Sequence, residues 1–218
     1  MSQSYKVDRV KLMSYKCKPK KLVKNIRGRY LAKSQMVRCS ATAVRFDFVN
    51  FRGSHFKKVS FKNAIITGCD FWGSSFKDCS FENAVISDCV FMACKFKNCN
   101  FRGAVINYST IVNTSLKKCD DIKLLENVKV LNQYPKINVD ALLLQTLENL
   151  KDDKYIRKNK LLHLPGAKYN HLNLYLLQTK FSKHELPKLL ARFQDKSTRN
   201  ITTYKKMELE LKKMRNAV

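Results

Sequence analysis

The sequence predicts a mainly β solenoid followed by an α-helical C-terminal domain. Two periodicities and one change of pattern support this. Large apolar residues recur at every fifth position, a second period of twenty overlies the first, and both stop near residue 120. Neither helix periodicity nor strand alternation repeats strictly at five. Chains with a fixed internal period stack their repeats into solenoids.

The five-residue period is continuous. Counted in fives from Phe46 to Leu116, all fifteen positions hold Phe, Ile or Leu. The register extends weakly backwards through Ala41, Met36 and Leu31. The residue two before each large one is small, from Val44 through Cys69, Cys79, Cys89, Cys94 and Cys99 to Thr114. The remaining three positions are mostly polar.

This arrangement resembles the pentapeptide repeat family, whose pattern is a small residue, Asp or Asn, a large Leu or Phe, then two polar residues. Cys69-Asp70-Phe71-Trp72-Gly73 and Cys99-Asn100-Phe101-Arg102-Gly103 carry the resemblance, which covers about residues 31–120. Asn50, Asp70 and Asn100 keep the Asp or Asn; many other repeats place Ser, Lys, Val or Ile there. The resemblance implies a right-handed quadrilateral β-helix, a pentapeptide repeat solenoid with four pentapeptides per coil. The period of twenty supports it independently. Phe51-Arg52-Gly53-Ser54 returns as Phe71-Trp72-Gly73-Ser74, and Phe61-Lys62-Asn63-Ala64 as Phe81-Glu82-Asn83-Ala84. Each face of the square therefore keeps its own residues, stacked at about the 4.8 Å spacing of neighbouring strands.

Stacking predicts the core. Phe51, Phe71, Phe91 and Ile111 form the ladder of face one. Phe56, Phe76, Phe96 and Leu116 form that of face two, and Phe61, Phe81 and Phe101 that of face three. Small residues fill the corners, with Cys79, Cys99 and Cys119 in one column. A large residue at Cys99 should overpack the coil at a cost of about 1–3 kcal/mol.

The outward positions are where a solenoid presents function. On face two the residues after the large ones are Lys57, Lys77, Lys97 and Lys117, with Lys58, Lys95 and Lys118 beside them. Like charges at this spacing repel by roughly 1 kcal/mol per neighbouring pair even in water. The column reads as a polyanion-binding strip, or as a solvated face whose ammonium groups splay apart. On face four, Ile65, Val85 and Val105 should point outward, an apolar row that calls for a cover: the chain's own helices or a second subunit. Trp72 should be exposed beside Arg52 and Met92, either as a contact point or packed under a terminus.

The flanks are basic. The chain carries 43 Lys and Arg against 17 Asp and Glu, a net charge of +26. Residues 1–45 hold 13 basic and 1 acidic side chains, residues 46–120 hold 10 and 6, and residues 121–218 hold 20 and 10. Such a chain concentrates polyanions around itself. Residues 1–30 read as a basic arm or cap, with Lys16, Lys18, Lys20, Lys21, Lys24, Arg27 and Arg29 available to follow a phosphate backbone. Residues 121–218 read as a basic helical domain that packs on the final coil. Helices are expected over Asp140–Leu150, with Leu142, Leu143, Leu147 and Leu150 on one side, over Leu172–Phe181, from a capping box at Ser182 to about Phe193, and over Thr202–Arg215. A helix-turn-helix over residues 182–215 is the alternative for the last two.

No catalytic constellation is evident. His55, His163, His171 and His184 are scattered, and the cysteines follow the repeat period rather than a zinc-ligand spacing. No glycine-rich phosphate loop exists. The expectation is a non-enzymatic protein with no cofactor and no metal, cytoplasmic, with reduced thiols, no membrane span and no signal-like N-terminus. Its partner is expected to be nucleic acid, a nucleoprotein or an acidic protein surface, and a homodimer is an open alternative. The family resemblance raises two further alternatives. One is a topoisomerase partner such as DNA gyrase, as for the Qnr-type members associated with quinolone resistance. Those are acidic, DNA-like rods, and this chain has the opposite charge. The other is a rigid adaptor whose C-terminal helices hold a partner protein.

Overall fold

The computed structural model describes residues 11–13 and 20–217. Lys16 and Lys18 lie outside the described residues, and of Lys20 only the backbone is described. The chain divides between Asn132 and Gln133 into two compact units.

The first unit is a right-handed, four-sided β-helix. Its strands pair in parallel with partners twenty residues away, so Phe56 registers with Phe76 and Phe76 with Phe96. Face two lies in a six-stranded sheet in which Gln35–Ser40, His55–Ser60, Ser75–Lys77 and Lys95–Lys97 are successive rungs. Face four is a five-stranded sheet running from Ile26–Arg27 to Val105–Asn107. Every large residue of the period from Leu31 to Ile111 is buried, and Leu116 is half-buried.

The phenylalanine ladders stack as the twenty-residue period predicts. Phe76 and Phe96 lie 4.6 Å apart at 5°, and Phe81 and Phe101 4.6 Å apart at 8°. Between faces the rings meet edge to face, as Phe56 and Phe61 do at 5.6 Å. Both geometries suit the ring quadrupole and contribute about 0.5–1.5 kcal/mol per pair beyond area burial.

The corner residues are more than small. The Ser54 amide donates to Ser74 Oγ at 3.3 Å, and Ser74 Oγ donates to the Phe51 carbonyl at 2.8 Å. The amides of Val49 and Cys69 reach the sulfurs of Cys69 and Cys89, and the Cys89 amide reaches Ser109 Oγ at 3.1 Å. Ser, Cys and Thr at corners thus satisfy inward backbone groups that no strand pairs.

The second residue after the large one turns each corner with a positive φ. Asn63, Asp78, Asn83, Asp88, Asn98 and Asn113 lie there with φ between 45° and 57°. Asn and Asp tolerate this conformation better than other side chains. Gly103 sits at the same position with φ 69°, and a Cβ there would strike the Asn83 side chain.

The β-helix extends beyond the strict repeat at both ends. Residues 20–30, expected as an arm or cap, are built into the first coil. Lys20–Lys21 pairs with Cys39 and Ser40, and Ile26–Arg27 with Phe46 and Asp47. Leu22 and Ile26 pack on the core, which the charged residues around them conceal in the sequence. After residue 120 the coil shortens: Ile106 pairs with Leu124 and Ile111 with Val130, eighteen and nineteen residues away. Strand pairing survives to Leu131, while the count of five is lost.

The second unit is helical. Its helices are α1, Ala141–Asn149; α2, Lys154–Asn159; α3, His171–Gln178; α4, Glu185–Ala191; and α5, Tyr204–Asn216. Asp140 caps α1 by accepting from the Leu143 amide at 2.9 Å. Leu143, Leu147 and Leu150 are buried, while Leu142 is turned outward and exposed. The predicted capping box forms: the Ser182 amide donates to Glu185 Oε2, and the Glu185 amide to Ser182 Oγ, both at 3.2 Å. Helix α2 has no counterpart among the helices expected from the sequence. A helix-turn-helix does not form, because twelve residues separate α4 from α5 where that motif needs a turn of three or four.

Candidate polyanion-binding face

Backbone register brings the predicted face-two lysines together. Lys57 pairs with Lys77 and Lys77 with Lys97. The Asn98 amide donates to the Lys118 carbonyl at 3.1 Å, which sets Lys117 and Lys118 on the next coil. Lys57, Lys58, Lys77, Lys95, Lys97, Lys117 and Lys118 are all exposed. Among the described residues none of the seven enters an ion pair. Asp78 is the single acid between them, and it accepts from Asn98 Nδ2 at 3.2 Å.

Face three places Lys62, Glu82 and Arg102 at the equivalent position, directly after its core residues. There the charges alternate and close. Glu82 Oε1 lies 3.3 Å from Lys62 Nζ and 2.7 Å from Arg102 Nη2. Hydrogen bonds from Arg102 and then Lys62 hold the Glu82 carboxyl below its ordinary pKa. This ladder is legible in the sequence as alternating sign at period twenty.

Helix α5, read in the sequence as a strongly basic helix, has its charges neutralised at close range. Lys205 and Lys212 both pair with Glu208, Lys206 and Lys213 with Glu210, and Arg215 approaches Glu185 at 3.9 Å. The i,i+3 and i,i+4 spacing of these residues is the signal that reveals the pairing.

The basic residues of the N-terminal segment are not gathered into one strip. Lys21 sits at the corner between faces two and three, beside Ser40. Arg27 lies on face four, in register with Asp47. Lys24 and Arg29 are exposed between elements.

Ile65, Val85 and Val105 stand in one registered column on face four, 37%, 41% and 38% exposed. Trp72 is half-buried rather than exposed. The Arg52 guanidinium from the preceding coil lies 3.9 Å from its ring centroid and shields it.

The seven described cysteines are free thiols. Burial pushes the Cys94 thiol up to about 12 and the Cys119 thiol up to about 11. Such thiols act as small hydrophobes rather than nucleophiles. No group of three His, Cys, Asp or Glu among the described residues is placed to hold a metal ion. Among them no helix is long and apolar enough to cross a membrane.

Residues 41–85 match a family model described as pentapeptide repeats in nine copies, and residues 84–120 one in eight copies. The β-helix is therefore a pentapeptide repeat domain. Among solved structures, a trypsin-treated variant of QnrB1, a plasmid-mediated fluoroquinolone resistance protein, is 18% identical over 57% of this chain and 67% of its own, with a TM-score of 0.40. A pentapeptide repeat protein from the thylakoid lumen of Arabidopsis thaliana is 17% identical over 71% of this chain and 88% of its own, with a TM-score of 0.31. HetL, a pentapeptide repeat protein involved in heterocyst differentiation regulation in the cyanobacterium Nostoc, is 14% identical over 44% of this chain and 41% of its own, with a TM-score of 0.23. A comparison with curated protein sequences finds no match.

Proposed function

We propose that the protein is a non-enzymatic binding module that engages a polyanionic partner through face two. One observation carries this reading: equivalent positions on adjacent faces are neutralised on face three and left unpaired on face two. An alternating column is available to this fold and relieves repulsion. A uniform lysine column forgoes that stabilisation, roughly 1 kcal/mol per neighbouring pair before screening. Binding of a polyanion is the circumstance in which such a column gains free energy.

Charge also argues against imitation of DNA. A chain of +26 with an open lysine ladder would be repelled by the basic surface that receives DNA on a topoisomerase. The stacked free thiols suit a reducing compartment such as the cytoplasm.

The test is retention on immobilised heparin across a salt gradient. The full chain should elute at high salt. The variant Lys57→Glu/Lys77→Glu/Lys97→Glu/Lys117→Glu should elute far earlier while keeping its far-UV circular dichroism. Equal elution of the two folded proteins would overturn the reading and move attention to the N-terminal basic residues or to residues 133–217.

A further inference from the structure

We infer that the partner of face two is the phosphate backbone of double-helical nucleic acid, contacted without regard to base sequence. The inference rests on the polyanion reading above and narrows it to one class of partner.

The chemistry of the face decides between polyanions. Among the described residues, His55 alone carries a ring at an outward position of face two, and its Nδ1 shares a hydrogen bond with Ser75 Oγ at 2.8 Å. Proteins that hold single strands stack the bases on aromatic side chains. A face of lysines without such platforms can address phosphates alone, which is what a duplex presents when its bases are paired inside. Recognition of an acidic protein surface would ask for something else. Protein interfaces are depleted in Lys and anchored by Trp, Tyr and Arg in apolar pockets. Among the described residues the large apolar side chains between the lysines, Phe56, Phe76 and Phe96, are buried, and Val37, in register with Lys57, is half-buried, so none stands exposed as an anchor.

Shape points the same way. The lysine column from Lys57 to Lys117 crosses three strand spacings, so the strip runs about 14 Å along the solenoid. Its three outward positions span about 10 Å across, enough to reach phosphates on both edges of a B-form minor groove about 6 Å wide. On one side it is bounded by the neutralised ladder of face three. A narrow basic strip follows a rod, whereas a bilayer would call for a broad basic plane. The strip is also stiff. The Asp78 amide donates to the Lys97 carbonyl at 2.9 Å, and each rung is fixed to the next by such bonds. A straight, rigid row of cations suits a polymer with a persistence length of about 50 nm.

Equilibrium titrations of the full chain test this, using short duplexes of two unrelated sequences, the matching single strand, polyglutamate and phosphatidylserine vesicles. The two duplexes should bind alike and more tightly than the other three. The logarithm of affinity should fall against the logarithm of salt with a slope of about −4 to −6, as expected for four to seven phosphate contacts. The fourfold lysine-to-glutamate variant should lose about 100-fold or more in affinity. Lys97→Glu alone should weaken both duplexes equally and flatten the slope by about 1 or more. Arg102→Gln, on face three, should leave affinity unchanged. Tighter binding to the single strand, polyglutamate or vesicles would overturn the duplex assignment while leaving the polyanion reading in place, as would a strong preference for one duplex sequence. Binding to none of them would overturn both.

Discussion

On face two the residues that follow the core positions are Lys57, Lys77, Lys97 and Lys117; on face three they are Lys62, Glu82 and Arg102. The interiors behind them are alike. Each face stacks buried phenylalanines in near-parallel pairs, with centroids 4.8 and 4.6 Å apart on face two and 5.0 and 4.6 Å apart on face three. The outsides differ by one reversal of sign, at Glu82. That reversal closes two ion pairs on face three, and its absence leaves face two open. The lesson is that the solenoid's stability and its surface charge are set by different positions of the repeat, so one can vary while the other stays fixed. Helix α5 extends the point: it is as rich in lysine as face two, yet each of its cations has a glutamate within reach.

The largest effects should show that the interiors are equivalent. Phe76→Ala and Phe81→Ala should each cost about 3–5 kcal/mol in denaturant unfolding. A marked difference between them would mean that the two faces do not share one core. Cys99→Leu, at the corner that joins these faces, should cost about 1–3 kcal/mol through overpacking.

Smaller effects should separate the exteriors. Glu82→Lys turns face three into a second uniform column; it should lower the melting temperature and raise affinity for heparin. Lys97→Glu gives face two the alternating pattern. It should stabilise the fold by a few tenths of a kcal/mol, as exposed pairs do, and weaken polyanion binding. Opposite signs for stability and binding are the signature of a column kept for its ligand. A loss of both would instead mean that Lys97 supports the fold.

The smallest effect is in pH. Arg102 first, then Lys62, depress the Glu82 carboxyl relative to the unfolded chain. The stability this contributes is present above the ordinary carboxylate range and is lost as pH falls through the folded value. The stability difference between the wild type and Glu82→Gln should therefore shrink on acidification, as followed by thermal melts.

Much of this is legible in the sequence because the period of five assigns each residue an inward, corner or outward place by its position in the count alone. Two inward positions in five define the core, and the period of twenty defines the faces and the lysine register. The ends are concealed for a physical reason. At residues 20–30 the coil is held by backbone pairing and by Leu22 and Ile26 amid charged neighbours. After residue 120 it drops one or two residues per turn, which breaks the count without breaking the strand pairing. Charge neutralisation on α5 is hidden behind net charge, which adds cations without regard to what stands beside them. The shielding of Trp72 by Arg52 is foreshadowed by their spacing of twenty, although an outward position alone suggests exposure.

The most direct test of the account is the salt dependence of duplex binding for the wild type and for Lys57→Gln/Lys77→Gln/Lys97→Gln/Lys117→Gln. These substitutions remove charge without introducing repulsion. The log–log slope should be flatter by about 3 to 4 in the variant, close to one released counterion per lysine. An unchanged slope, or a wild type that does not bind, would contradict it.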